Sequence, residues 1–83
     1  EGIIDLLSQA EAAEVAILFK QAGDATRVSV RTRPGGVDAT VLTGAFGGGG
    51  HARAAGASVD APLDDAGPRV IAEAARLVAA LGR

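Results

Sequence analysis

Gly44-Ala45-Phe46-Gly47-Gly48-Gly49-Gly50-His51-Ala52-Arg53-Ala54-Ala55-Gly56-Ala57 is the stretch on which this 83-residue sequence turns. Four consecutive glycines, Gly47, Gly48, Gly49 and Gly50, expose backbone amides with no side chains in the way. Such a loop approaches an anion closely and adopts the positive φ values that make N–H groups converge. His51 follows at once. The piece after it is long enough for one or two helical turns, whose first amides would add a partial positive charge. A flexible linker is the competing reading of any glycine run. Against it, a linker rarely ends in His and continues as Ala-Arg-Ala-Ala-Gly-Ala. A P-loop would place Lys and then Ser or Thr after its glycines, and the dinucleotide loop would follow a strand. Neither pattern is present.

Working outward, the residues before the glycines read as a helix. Asp38 is placed to cap it, and Val41, Leu42, Ala45 and Phe46 would form its buried stripe. Upstream, Glu14 to Lys20 is a continuous apolar run, which suggests a strand covered on both faces. Gln21 to Ala25 supplies a turn around Gly23-Asp24. Arg27 to Arg33 alternates, with Val28, Val30 and Thr32 on one side and Arg27, Ser29, Arg31 and Arg33 on the other, so the two runs make a hairpin. Pro34-Gly35-Gly36 ends it. Downstream, Ala57 to Ala61 reads as a short strand and Pro62 to Asp65 as a turn or cap. A final amphipathic helix runs from Pro68 to Leu81, with Arg69 and Glu73 one turn apart and Gly82 as terminator. Residues 1–13 read either as a linker from a missing upstream domain or as a short helix, since Ser8 and Glu11 have capping-box spacing. The order is β-β-α-β-α, an α/β (α+β) domain whose helices pack on one face of a small mixed sheet.

Composition sets the limits. Nearly half the residues are hydrophobic (48%), so the chain should fold, but at this size its own stability is modest. The net charge is -2, so phosphate recognition must rest on a few local groups and not on a basic coat. There is no cysteine, which removes disulfides, thiolate nucleophiles and Cys-ligated zinc, and fits a cytoplasmic protein. No run is long enough to span a membrane. Glu1 in place of Met suggests a piece of a longer chain.

Gly47-Gly48-Gly49-Gly50-His51 followed by Ala54-Ala55-Gly56-Ala57 resembles the signature of the DHH-associated C-terminal domain. Val28-Ser29-Val30-Arg31-Thr32 resembles that family's second strand, and the likeness extends over residues 14–81. The domain is found in bacterial oligoribonuclease/pAp phosphatases (nanoRNases), to which this sequence is most similar. It also occurs in RecJ-type exonucleases and cyclic-dinucleotide phosphodiesterases. Alanyl-tRNA synthetases carry a related C-terminal element without histidine at the position of His51.

The resemblance implies a division of labour. An upstream DHH domain in the same polypeptide holds two divalent metals, usually manganese, and activates water. The C-terminal domain closes over the cleft and grips substrate. Residues 14–83 would be that substrate-binding domain, with residues 1–13 leading into it. The chain itself shows no Asp-His-His motif and a single histidine, so no catalytic residue, metal ligand or bound cofactor is expected of it, and alone it should be inactive.

By resemblance His51 faces the scissile phosphate and Arg31 contacts substrate. Arg53 either holds a second phosphate or is simply exposed. The glycines complete the set of expected binding residues. Arg27 and Arg33 read as surface, and Phe19 and Phe46 as core, which leaves no aromatic platform for bases. The expected partners are the upstream domain and short RNA or mono- and dinucleotide phosphates, with no membrane. A homodimer of the parent is left open. Three alternatives stand beside this reading: a RecJ-like exonuclease domain, a cyclic-dinucleotide phosphodiesterase domain, and a non-enzymatic oligomerisation module like the synthetase element.

Overall fold

The computed structural model of the protein describes residues 2–6 and 15–81. Among them are five strands and two helices: β1 (Gly2–Leu6), β2 (Val15–Ala22), β3 (Ala25–Thr32), α1 (Ala39–Gly44), β4 (Gly49–His51), β5 (Ala54–Val59) and α2 (Leu63–Ala79). The strands form one sheet in the order β1-β2-β3-β5-β4. Every neighbouring pair is antiparallel. The α+β class holds, but the sheet is not mixed. A parallel pair needs a crossover connection, and here β4 and β5 are joined by a two-residue turn that permits only antiparallel pairing.

The N-terminal segment departs from expectation. Residues 2–6 are neither linker nor helix; they form an edge strand on β2, with Ile4 opposite Ile17. Their Ile-Ile-Asp-Leu sequence suits a pleated backbone better than a first helical turn. The helix start expected at Ser8 lies outside the described residues.

β2 and β3 form the expected hairpin, closed at Ala22 and Ala25. Gly23 takes the positive φ (63°) that tight hairpin turns ask of their first residue. β2 is not covered on both faces, however. Val15, Ile17 and Phe19 are buried, whereas Leu18 is 40% exposed and Lys20 is exposed. The continuous apolar run conceals an ordinary alternation, because Ala16 and Leu18 occupy outward positions.

The inward residues Val15, Ile17, Phe19, Val28, Val30 and Val59 join Leu42 of α1 and Val70, Ala74 and Val78 of α2 in one core. Both helices therefore lie on one face, as expected. The other face of the sheet carries no element among the described residues. Burying the larger of these aliphatic side chains contributes roughly 1.5–3 kcal/mol each, which is how so small a domain holds together.

α1 is capped by Asp38, whose carboxylate accepts the Thr40 amide at 2.8 Å. Its buried residues are Ala39, Leu42 and Thr43, and Val41 is 53% exposed instead of lying in the stripe. α2 starts at Leu63, five residues before the proline expected to open it. The Gln21 side chain from β2 accepts the Leu63 amide at 2.8 Å, and Asp64 and Asp65 favour the positive end of the helix. That capping stabilises a turn ahead of Pro68. Arg69 pairs with Asp65, and Glu73 with Arg76, so the expected Arg69–Glu73 pair does not form.

Candidate functional site

Register decides which side chains share the open face. On β3, Arg27, Ser29 and Arg31 alternate with the buried Val28 and Val30. Ala54 of β5 stands opposite Arg31 on one side and opposite His51 of β4 on the other. Residues directly opposite in a ladder project to the same face, so Arg31, Ala54 and His51 form one row. The two basic residues are separated by two strand spacings, roughly 10 Å between Cα atoms. A methyl group is all that stands between them. Two long polar side chains can close from that distance around one phosphate.

In the next row, Ser29 faces Gly56, and Gly56 faces Gly49. The result is a shallow depression of about 340 Å³ lined by Ser29, Arg31, Gly49, Gly50, Ala54 and Gly56, among others. Its floor is nearly bare backbone. β4 is an edge strand, and an edge strand turns every second N–H and C=O away from its only neighbour.

The segment after His51 is not helical. Gly49–His51 and Ala54–Val59 form a hairpin, with Ala52 and Arg53 as its turn. Six residues offer too few helical hydrogen bonds to repay nucleation, whereas β3 offers Ala54–Val59 a full ladder. No helix N-terminus therefore follows the glycines. The turn is held instead by its surroundings. Ala52 carbonyl accepts the Ala39 amide of α1 at 2.6 Å and the Thr32 hydroxyl at 3.1 Å, and Arg53 carbonyl accepts the Thr32 amide at 3.1 Å. The closing pair His51–Ala54 is thus fixed against both α1 and β3.

The glycines divide into separate jobs and do not make a single nest. Gly47, at φ 79°, and Gly48 donate their amides to Gly44 and Thr43 carbonyls, ending α1. A Cβ on Gly48 would sit 2.1 Å from the Gly56 carbonyl oxygen, and one on Gly50 2.6 Å from Ala55 Cα. Those two glycines permit close approach of β4 to β5. Only Gly49 and Gly50 line the depression.

The structure thus brings Arg31, Gly49 and Gly50 to the depression, while His51 shares a row with Arg31 by register and is not among the lining residues. Gly47 and Gly48 serve the helix end, and Arg53 is exposed at the hairpin tip without lining the depression. Ser29, Ala54 and Gly56 belong to the site although sequence reasoning misses them. Ser29 is legible from its place between Arg27 and Arg31, while the other two need the β4–β5 register. Arg31 and His51 make no ion pair among the described residues, whereas α2's Arg69 and Arg76 each hold a carboxylate on their own helix. Arg31, a cation without an internal partner among the described residues, is available to an anion from outside.

No group of three or more His, Asp or Glu side chains that could hold a metal comes together among the described residues. Asp38 is engaged at the α1 cap, and its carboxyl is held below its ordinary value by the Thr40 hydroxyl and amide. Glu73 is likewise lowered by its bond to Arg76. The donor set does not fit a divalent ion, so no metal chemistry is assigned to these residues. No helix among them is long and apolar enough to cross a membrane.

Fold and site together describe a small domain, helices on one side and an exposed sheet face bearing Lys20, Arg27 and Arg31 on the other. The chain belongs to the DHHA1 family, the DHH-associated C-terminal domain, whose family model matches residues 1–80. That domain is the accessory domain of DHH-family phosphoesterases and usually follows a DHH catalytic domain. The match includes β1, so the first residues are part of the domain and not only an approach to it.

Proposed function

We propose that this chain captures the phosphate-bearing end of a short oligoribonucleotide, or of pAp (3'-phosphoadenosine 5'-phosphate), for hydrolysis by an upstream DHH domain in the same polypeptide. The observation that carries the reading is the row Arg31–Ala54–His51, in which two cationic or donor side chains flank a small residue above bare backbone. Arg31 offers a planar fork of donors to phosphate oxygens, and His51 adds an N–H that donates more strongly when protonated. The face has no aromatic ring, so grip falls on phosphate and sugar and little on base identity. The two divalent metals, manganese by family resemblance, belong to the upstream domain in this scheme. Hydrolysis of such nucleotides fits a cytoplasmic location.

Binding of pAp and of a 5'-phosphorylated diribonucleotide, measured by calorimetry, tests the proposal. Each charge-assisted bond contributes roughly 1.5–3 kcal/mol, so Arg31→Ala should weaken both ligands about tenfold to hundredfold, with His51→Ala somewhat less. Equal affinities for wild type and Arg31→Ala would end it. Concentration-dependent self-association without nucleotide binding would point to an oligomerisation module instead.

A further inference from the structure

The open face does not stop at Arg31 and His51. Two strand positions along β3 from Ser29, Arg27 stands directly opposite Lys20 of β2, and both are exposed. Like charges placed directly opposite in a sheet are destabilising, and neither Lys20 nor Arg27 forms an ion pair among the described residues. Asp24 and Asp60, the carboxylates nearest in sequence to that end of the sheet, do not neutralise them by ion pairing either. The arrangement suits an external anion.

The ground between is continuous. A depression of about 310 Å³ shares Ser29 and Arg31 with the one beside the glycines. A third, of about 370 Å³, shares Leu18 and Ser29 with the second and ends at Lys20 and Arg27. Leu18 lies between the basic ends as an exposed apolar contact, suited to a sugar or base edge. From Arg31 to Arg27 is four residues of extended strand, roughly 14 Å. At the ~3.4 Å per nucleotide of a stacked strand, that is about four nucleotides, and fewer if the strand is extended.

We propose that Lys20 and Arg27 form a second phosphate subsite, so that this face takes a single-stranded oligonucleotide longer than a dinucleotide along β3. The inference rests on the reading of Arg31 and His51 as the end-phosphate site, and it adds a length preference to it. A mononucleotide such as pAp reaches only the first subsite. A tetranucleotide reaches both.

The test compares the 83-residue chain with Lys20→Gln/Arg27→Gln and, separately, with Arg31→Ala. Each binds pAp and a 5'-phosphorylated tetraribonucleotide across a salt series. The double variant should lose several-fold affinity for the tetranucleotide and leave pAp unchanged. Its slope of log affinity against log salt for the tetranucleotide should flatten by about 0.7, for the one phosphate no longer neutralised. Its thermal midpoint should hold or rise, because a like-charge repulsion has gone. An unchanged tetranucleotide affinity and slope, an equal loss for pAp, or no tetranucleotide binding by wild type overturns the proposal. Failure of the end-phosphate reading shows separately, as indifference of both ligands to Arg31→Ala.

Discussion

Gly48 and Gly50 are glycines for a different reason from Gly49. A methyl at either of the first two would run into the β5 backbone, and Gly50 also holds φ 145°, which L side chains rarely adopt. Gly49 has nothing within 4 Å of where its Cβ would be. Alanine at Gly48 or Gly50 should therefore destabilise the fold by about 1–3 kcal/mol, as overpacking and a forced backbone do. Alanine at Gly49 should leave stability close to wild type, and chemical denaturation of the three variants checks this. Such a division is not legible in four identical letters. The run as a whole frees the backbone, but which glycine ends a helix and which meets a neighbour depends on β5. Lys20 is legible in principle, because the Gly23-Asp24 turn pairs Ala22 with Ala25 and so brings Lys20 opposite Arg27. It escapes notice in the sequence because it closes an apolar run.

Among the elements, α1 and the β4–β5 hairpin act as one unit. Asp38 fixes the start of α1, and the Ala39 amide holds the Ala52 carbonyl of the hairpin turn. Bonding to Thr40 lowers the Asp38 carboxyl below its ordinary 3.8 in the folded chain. A depressed carboxylate stabilises the fold above its unfolded value, and that contribution is lost as pH falls through the folded value. The loss accordingly begins as pH drops below 3.8. Asp38→Asn keeps a capping acceptor without the charge, so its thermal midpoint should fall less than wild type's between about pH 5 and about pH 3. Equal falls would remove Asp38 from the acid response and leave it to groups such as Glu73, whose carboxyl is also lowered. Elements with a clear local signal are readable: the β2–β3 hairpin, the Asp38 cap and the amphipathic face of α2. The start of β5 is not. Ala52-Arg53-Ala54-Ala55 favours helix locally, and only the pairing of β5 with β3 overrides that preference.

At the scale of the whole molecule, a chain of net charge -2 keeps its two helical arginines in ion pairs on α2 and leaves Lys20, Arg27, Arg31 and His51 on a bare sheet face. That separation lets an acidic protein offer one locally basic surface. Helices on one side and an alternating strand with arginines on the other are both visible in the sequence, so the existence of such a face can be inferred. Its central row cannot, since Arg31 and His51 meet across a residue, Ala54, that carries no signal of its own. The proposed function rests on those two side chains holding one phosphate together. Titrating the 15N-labelled chain with pAp and following amide shifts tests this most directly. Shifts should concentrate at Arg31, Gly49, Gly50, His51 and Ala54, leave α2 still, and vanish together in Arg31→Ala. Shifts centred on α2 or on the hairpin tip at Arg53, or a His51 response that persists unchanged in Arg31→Ala, would contradict it.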